Sequence, residues 1–495
     1  MGHLRFRVAQ RDRLGAEALS RLFVAGGDDI PWSTQTRWDD DVLAVRRRMD
    51  DSGCVHVPWR VDGHGQLLLN TGTLMERAQP YLLDVELARG LLQRLRNRLF
   101  FWESSGWTAS AEAAAQVRAA TRLFAAAATR QDDLANAGRL ANESLAIALS
   151  AAGGLAASYA SHALEARRDQ PLPGTLLGVS LGPHAPSPAV RRRVAETCNL
   201  AQAPLGWRSI EAREGRRDWK TTDEQLGWCQ TAGLKIAAGP LLRMDDRGIP
   251  DWMYLWEGDY ENLARLMLEH VHAVVSRYAG RVHLWHVASR VNNGTLLSLS
   301  EEQRLNLVAQ TLQLVRKIDP RTPTVVSFDQ PWGEYLVRGD EELAPIHYAD
   351  ALVRADLGVS GFGLEINAGY FPRGSAHRPI VEYGRLIDQW NLLGLPLMLL
   401  LTASSSAADD PRALAKIATE PAGDLPPGSD DPQHAWAAAV APLLLTRSNV
   451  QVLVWNQLAD SAPHEFPHGG LFDADDREKP VMRLLQELRT RHLAS

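Results

Sequence analysis

Two carboxylates lie near the ends of two apolar, strand-like segments in the second half of the chain. Asp329 lies in the run PTVVSFDQ, and Glu365 lies in SGFGLEIN among apolar residues and glycines. If these segments are neighbouring strands, burial and mutual repulsion would raise the pKa of one carboxyl group and leave the other ionised. Such a pair can act as a general acid and as a base or nucleophile.

Each carboxylate also has a structural interpretation. An unpaired carboxylate in the surroundings of Glu365 is costly, so a buried salt bridge with Arg290 is the alternative to a site role. Asp329 could instead cap the loop before Pro331 through an Asx turn.

Further polar candidates accompany the pair. Asn367 ends the segment of Glu365, and Glu334 lies in the loop QPWGEY, where a solvated role is the alternative. His286 lies in LWHVASRVN. A histidine inside a strand is more often a hydrogen-bonded core group than a catalyst, so both interpretations stay open.

The chain contains 15 tryptophans, which is a high number. An indole usually fills a core, but its flat face also stacks on the apolar face of a sugar ring. We therefore take Trp207, Trp332 and Trp455 as candidate stacking residues, with core packing as the alternative.

The segment HEFPH matches the zinc-protease pattern H-E-x-x-H, which works only on a helix. Pro463 and Pro467 oppose a helix here, so no metal site and no cofactor are predicted. The segment follows the last strand-like run, and we expect His464, with Glu465 or His468, to contact substrate.

The elements that would position these residues alternate between strand-like and helix-like patterns after residue 174. Such alternation predicts an α/β fold, and eight units predict a (β/α)8 TIM barrel over 171–495, with its chemistry at the carboxyl ends of the strands. A doubly wound open sheet is the alternative, but neither G-x-G-x-x-G nor G-x-x-x-x-G-K-[ST] occurs. The eight candidate strands are TLLGVSLG, LAQAPLGW, LKIAAGPLL, VHLWHVAS, PTVVSFDQ, SGFGLEIN, PLMLLLTA and VQVLVWNQ.

The first third of the chain has a different character. Residues 1–76 read as short strands broken by Gly/Asp turns, which predicts a small β-sandwich-like domain, either carbohydrate-binding or a structural cap. Residues 77–170 show Ala-rich helical spacing, which predicts a helical hairpin or linker region of two or three long helices. The segment DQPLPG (169–174) is interpreted as a linker.

Several segments of the barrel half resemble glycoside hydrolase family 10, the retaining xylanase family of (β/α)8 enzymes. GWRSIEAREGRRDW is similar to the family's second unit, and GLKIAAGPLLRMDDRGIPDWM to its third. YAGRVHLWHVASRVN is similar to the fourth-strand form ending in WDVVNE, and VLVWNQLADSAPHEFPHGGLFDADDREKPVMRLL to the last unit. The resemblance extends from about residue 174 to the C-terminus and implies a carbohydrate substrate.

The departures from the family pattern fall on its chemistry. Where the family has Asn and its acid/base Glu, this chain has Ser289 and Arg290. The family's nucleophile lies in a TELD-type segment, whose place is taken here by Leu401 or Ala403. The third-strand His is absent, with Gly239 nearby. Because retaining glycosidases need two carboxyl groups, the family's mechanism does not carry over.

The resemblance also suggests roles for individual residues. His286 takes the place of the motif's Asp. Arg290, at the acid position, could bind a uronate or sulfated sugar through a bidentate contact, or form a structural ion pair. Glu211 matches a family position, but its polar surroundings favour a structural role.

Composition limits the classes of partner. Lys+Arg 53 against Asp+Glu 59 gives a net charge of −6 without a basic arm, so nucleic acid is not expected. No stretch of 18 uninterrupted apolar residues occurs, so no membrane span is expected.

Cys54, Cys198 and Cys229 are expected to be buried thiols. The start lacks a signal-peptide core, so we expect a cytoplasmic protein, with a secreted protein that has lost its leader as the alternative. Homo-oligomerisation is left open.

Three hypotheses follow. The first is a glycoside hydrolase in which Glu365 and Asp329 replace the family's carboxylates. The second is a non-catalytic carbohydrate-binding protein on a xylanase-like barrel. The third is a lyase or another reaction that uses His286 and Arg290 on an acidic glycan.

Overall fold

The computed structural model describes residues 2–15, 17–167, 174–294, 296–420 and 431–493. Two four-stranded sheets, ordered β4-β5-β1-β8 and β3-β2-β6-β7, begin the chain. Leu4 and Phe6 alternate with more exposed residues along β1, the pattern of a strand with one buried face. The strands are β1 (Gly2–Arg7), β2 (Phe23–Ala25), β3 (Pro31–Trp32), β4 (Thr34–Asp39), β5 (Val42–Arg47), β6 (Gly53–Val61), β7 (Gly65–Leu74) and β8 (Tyr81–Leu82).

Long helices complete the core of these sheets. The helices of this region are α1 (Ala18–Arg21), α2 (Leu83–Ser104), α3 (Ala111–Ala128) and α4 (Leu134–Arg167). Apolar residues of both sheets and of α2, α3 and α4 form one continuous cluster of buried side chains. The predicted segments 1–76 and 77–170 therefore pack around a shared core, because the helices cover sheet surface and do not merely connect two bodies. The predicted boundary at 170/171 and most of the linker DQPLPG lie outside the described residues.

The remaining chain forms a closed parallel barrel. The sheet runs β11-β10-β9-β19-β17-β15-β14-β13, and pairing of β11 with β13 closes it, so the open-sheet alternative is excluded. Every predicted barrel strand is present. The strands are β9 (Leu176–Ser180), β10 (Leu200–Ala203), β11 (Lys235–Ala238), β12 (Leu242–Arg243, which extends β13), β13 (Leu284–Ser289), β14 (Thr324–Asp329), β15 (Gly361–Ala368), β16 (Tyr370–Phe371), β17 (Leu397–Ala403), β18 (Ala418–Thr419) and β19 (Val450–Trp455).

Helices surround the barrel and follow its strands. Several begin at clear sequence signals: Ser300 and Gln303 form a capping box, and proline occupies the first turn of four helices. The helices are α5 (Pro188–Thr197), α6 (Trp207–Ile210), α7 (Lys220–Thr231), α8 (Tyr260–Tyr278), α9 (Glu301–Ile318), α10 (Pro345–Arg354), α11 (Ile380–Asn391), α12 (Pro432–Leu445) and α13 (Pro480–Leu488).

Helix α4 has the length and composition of a membrane span. One window of this helix has a mean hydropathy of 1.3, but half of that window is buried inside the protein. There α4 packs against α2, α3 and α12. The core helix of a folded domain has the same apolar character, so packing accounts for it.

The barrel interior changes from apolar to polar toward the carboxyl ends of the strands. Its floor is a cluster of aliphatic side chains that includes Val325 and Leu400. Because side chains alternate along a strand, Ser327 and Asp329 face the same side of β14, and Glu365 and Asn367 face the same side of β15. The candidate residues thus form a buried polar layer above an aliphatic floor. This layer lies at the carboxyl ends of the strands, where barrels of this kind carry their active sites.

We expect the close approach of α2 to β7 to tolerate no side chain at Gly90. A Cβ atom at this position would lie 2.1 Å from the carbonyl oxygen of Asn70. Gly90→Ala should therefore lower the free energy of unfolding by about 1–3 kcal/mol, through forced displacement of the helix. Gly153→Ala, in an open position on α4, is the matched control and should raise it by roughly 0.5–1 kcal/mol. Urea unfolding measures both, and equal effects would contradict the packing of α2 on β7.

Candidate functional site

A cavity of about 1120 Å³ opens at the carboxyl end of the barrel. Its wall includes residues that follow several strands, among them Trp207, His286, Glu365 and the segment Ala462–Phe466. Ligand sites of (β/α)8 proteins lie at this end because the strand ends and the loops after them converge there. The cavity is therefore the candidate functional site.

Arg290 lies at the centre of the site. It follows β13 directly, and its φ of +56° places it in the left-handed region, where non-glycine residues are uncommon. Its Nε donates to Glu365 Oε2 at 3.2 Å, and one Nη donates to Asp245 Oδ2 at 3.0 Å and to Glu465 Oε1 at 2.6 Å. One buried guanidinium thus joins three carboxylates from different parts of the chain.

A second arginine strengthens this cluster. Arg243 donates to Asp245 at 2.7 and 2.8 Å and to Glu465 Oε2 at 2.7 Å. Burial alone would raise the pKa of Asp245, but Arg243 and Arg290 hold it well below its usual range. Burial alone would also raise the pKa of Glu465, but the same two arginines lower it to about 2. Both carboxylates are therefore ionised at neutral pH and unsuited to donate a proton.

Glu365 ends a chain of hydrogen bonds that crosses the barrel. Gln202 Nε2 donates to His286 Nδ1 at 3.0 Å, and His286 Nε2 donates to Ser327 Oγ at 2.9 Å. Ser327 Oγ in turn donates to Glu365 Oε1 at 2.8 Å. Burial lowers the pKa of His286 to about 4, so the ring is neutral, consistent with Nδ1 as the acceptor. His286 lines the cavity but both of its ring nitrogens are occupied.

Asp329 lies beside Glu365 but in a more secluded position. The two residues are register partners on β14 and β15, so their Cα atoms are about 5 Å apart. Asp329 accepts a long hydrogen bond of 3.4 Å from Asn367, which itself accepts one from Asn456 at 3.1 Å. Burial raises the pKa of Asp329 to about 7, with Glu365 adding to the effect and Arg290 opposing it. Among the described residues that line the cavity, Asp329 is absent.

The positions predicted above to match the family's catalytic groups carry no carboxyl group. Arg290 is an ion-paired cation, and Leu401 and Ala403, the alternatives for the nucleophile's place, are buried apolar residues of β17. At Gly239, a Cβ atom would lie 2.2 Å from the carbonyl oxygen of His286, so no side chain fits there.

Five predicted site residues are not among the described residues that line the cavity: Asp329 and Asn367, described above, and Glu334, Trp332 and Trp455. Glu334 accepts a hydrogen bond from Arg378 at 2.7 Å, and Arg378 also lies 4.6 Å over the ring of Trp332. Trp455 is fully buried, with its indole N–H donating to Gly469 at 2.8 Å. Glu334, Trp332 and Trp455 thus have pairing or packing partners within the protein, and their contact with a sugar stays a prediction.

Two further predicted residues, Trp207 and His464, line the cavity, but contacts within the protein hold both side chains. Trp207 stacks on His270 at 4.8 Å, and its indole N–H donates to Glu211 at 3.0 Å, so Glu211 has a structural role. The ring of His464 bonds Asp410 at 2.9 Å and the Ala462 carbonyl at 2.8 Å. Both residues shape the wall, and neither presents a free face or a free ring nitrogen.

Sequence reasoning missed several residues of the site. Arg243, Asp245 and Arg247 lie in the segment LLRMDDRG after β11, which was compared with the family's third unit without a role for these residues. Ser327 had a usable signal, since it lies two residues before Asp329 and so faces the same side of the strand. Arg373 had none, because it lies in the loop after β16, outside the segment SGFGLEIN.

Arg290 should be required for stability. Arg290→Met leaves three carboxylates without their shared cation, so the free energy of unfolding should fall by about 3–5 kcal/mol at pH 7. Protonation of the freed carboxylates relieves this loss, so the deficit should shrink as the pH falls toward 4. Arg265→Met, which removes an exposed arginine paired with Glu269 on α8, should change stability by less than about 0.5 kcal/mol. Chemical unfolding at several pH values tests this, and a small, pH-independent effect at Arg290 would contradict it.

Asp329 should destabilise the protein as the pH rises. Its pKa is higher in the folded chain than in the unfolded chain, so the folded state binds an extra proton between about pH 4 and pH 7. Stability is lost as the pH rises through this window, and Asp329→Asn removes the loss. The variant should gain stability relative to the parent protein from pH 4 to pH 8, by an amount on the order of 1–4 kcal/mol. Asp132→Asn, at an exposed position, should follow the parent at every pH; a parallel curve for Asp329→Asn would refute the assignment.

Comparison with known proteins connects this barrel to one family. Residues 197–303 match the model of glycosyl hydrolase family 10. Endo-1,4-beta-xylanase C of Paenibacillus barcinonensis is 27% identical over 89 residues, which are 17% of this chain and 8% of that protein. Endo-1,4-beta-xylanase 3 of Hypocrea jecorina (strain QM6a) is 27% identical over 134 residues, which are 24% of this chain and 38% of that protein. The matched segments thus span well under half of either relative.

Two solved structures are among those similar to this chain. Native xylanase 10B from Thermotoga maritima has a TM-score of 0.49 at 14% identity, over 68% of this chain and 98% of that one. Xylanase 10B from Thermotoga petrophila RKU-1, in complex with xylobiose, has a TM-score of 0.48 at 13% identity, over 65% and 95%. Through the match of residues 197–303, the predicted resemblance is confirmed: this chain carries a glycoside hydrolase-like barrel similar to glycosyl hydrolase family 10.

Proposed function

We propose that this protein binds a carbohydrate in the cavity at the carboxyl end of the barrel and does not hydrolyse it. One observation carries the proposal: the two least exposed carboxylates of the cavity wall, Glu365 and Glu465, are both ion-paired with Arg290. The sequence resemblance predicts that Arg290 takes the place of the family's acid/base. The other acidic side chains of the wall are exposed at its rim, namely Asp218, Asp246 and Asp476.

Hydrolysis by the family's route needs groups that these positions lack. A general acid has to be protonated near the working pH, whereas Arg243 and Arg290 keep Glu465 ionised. A retaining enzyme also needs a nucleophile close to the acid, and neither Leu401 nor Ala403, the alternatives for that place, has a nucleophilic atom. The site can therefore hold a ligand but is poorly equipped for proton transfer.

Binding is supported by the shape and the polar atoms of the cavity. Its volume is in the range that accommodates a short oligosaccharide. Ser289 Oγ and Gln202 Oε1 are buried in its wall without a hydrogen-bond partner among the described residues. Unpaired buried polar atoms are costly, and sugar hydroxyl groups would satisfy both. The xylanase names of the matching relatives make a xylo-oligosaccharide the first ligand to test.

A second candidate function is glycoside hydrolysis by Asp329 and Glu365. It is favoured by the neighbouring register of the two residues and by the pKa of Asp329 near 7, which suits a general acid. Against it, Asp329 does not line the cavity and Glu365 is held by Arg290 and Ser327.

The two candidates differ in product formation. Isothermal titration calorimetry of the full chain with xylo-oligosaccharides should show binding, and chromatography after long incubation should show no shorter products. Under the second candidate, products form, and Glu365→Gln or Asp329→Asn lowers their rate by about 10²–10⁴-fold. Glu302→Gln, an exposed change on α9, is the control and should leave both readouts unchanged. Turnover that depends on Glu365 would overturn the proposal in favour of hydrolysis, and absence of binding by any glycan would contradict both.

A further inference from the structure

We propose that the carbohydrate bound in the cavity carries an anionic group, the carboxylate of a uronate or a sulfate ester, and that Arg247 and Arg373 bind it. This inference rests on the proposed carbohydrate binding and adds the class of ligand.

Arginines and carboxylates form one cluster around Arg290. Four arginines line the cavity near one another: Arg243, Arg247, Arg290 and Arg373. They face the carboxylates of Asp245, Glu365 and Glu465. Asp329 interacts with Arg290 from the interior, and burial raises its pKa to about 7, while Asp246 lies at the rim, 55% exposed and 3.4 Å from Arg373. The four guanidinium groups share these carboxylates unequally.

Arg247 and Arg373 are the more weakly paired arginines of this cluster. Arg243 and Arg290 hold the carboxylates at hydrogen-bonding distances of 2.6–3.2 Å. By contrast, Arg247 Nη1 is 3.8 Å from Glu465 Oε1, and Arg373 Nη1 is 3.9 Å from the same oxygen. Both nitrogens are buried and lack a hydrogen-bond partner within the described part of the chain.

The surroundings of Arg247 agree with an unfilled anion site. Burial lowers the pKa of Arg247, and the neighbouring Arg243 and Arg373 lower it further, against the attraction of Glu465. The side chain nevertheless stays cationic at neutral pH, because an arginine pKa lies far above it. A bound anion would offset the repulsion among these guanidinium groups. It would also accept hydrogen bonds from the N–H groups that have no partner.

The geometry suits a substituent of a sugar better than a free ion. Arginine pairs with carboxylate and with tetrahedral anions through paired N–H donors. Ser289 Oγ and Gln202 Oε1, on the same cavity wall, offer contacts for the hydroxyl groups of the ring that carries the charge. Arg290 was the residue expected to bind an anion, but three carboxylates already surround it, so this role passes to its neighbours.

Binding of three probes to the full chain tests the inference. Trigalacturonate carries uronates, a sulfated carrageenan tetrasaccharide carries sulfate esters, and xylotetraose is neutral. By calorimetry in 50 mM NaCl, at least one acidic probe should bind about tenfold more tightly than xylotetraose. Raising the salt to 500 mM should weaken the acidic probe selectively. The acidic probe that shows this behaviour tells whether the anionic group is a uronate carboxylate or a sulfate ester.

Variants then assign the contact. Arg247→Gln and Arg373→Gln should each weaken the acidic probe about tenfold and leave xylotetraose unchanged. Arg265→Gln, the exposed arginine of α8, is the matched control. Arg373 is 31% exposed, so its variant keeps the test valid if Arg247→Gln does not fold. Equal binding of acidic and neutral probes, or full acidic binding by both variants, would overturn this inference alone. Failure of all three probes to bind would remove the proposed function as well.

Discussion

The site depends on the interaction of one buried guanidinium with three carboxylates. Arg290 joins Glu365 on β15 to Asp245 and Glu465 in two loops, and so fixes both loops over the barrel. Removal of charges from water is expensive, and their attraction repays this only with good geometry and shared hydrogen bonds. The left-handed backbone of Arg290 is a further cost. Movement of any one member would leave a buried charge without its partner, so the cluster stays in one arrangement.

This constraint underlies the proposal that the barrel binds a carbohydrate without hydrolysing it. In a retaining glycosidase, one carboxyl group keeps its proton and another attacks, which needs two environments that push their pKa values apart. Around Arg290 the environment is shared, and Arg243 and Arg290 keep Asp245 and Glu465 ionised together. The proposed anion binding falls instead to Arg247 and Arg373, which the carboxylates hold less closely. An arginine at the end of β13 thus influences the electrostatics of the cavity.

Beneath the cluster, a layer of uncharged polar side chains lies between the charged groups and the aliphatic floor of the barrel. Gln202, His286 and Ser327 pass hydrogen bonds across the barrel to Glu365, so this carboxylate has partners on both oxygens. A neutral histidine suits this position because it can accept at one nitrogen and donate at the other. The layer explains how a glutamate can lie deep in a barrel without an unsatisfied oxygen.

The sequence by itself determined the barrel and the end of it that carries the polar residues. Strand and helix patterns are local, so all eight strands and the inward alternation of Glu365 and Asn367 could be predicted from residue spacing. The motif around Ser289 also led to the prediction that the family's acids are missing. Only the tertiary structure decided the contents of the cavity. Glu465 is 175 residues from Arg290, and no local pattern records such a contact. Likewise, residue type could not tell that Trp455 packs into the core, because a side chain's surroundings are set by distant segments that fold against it.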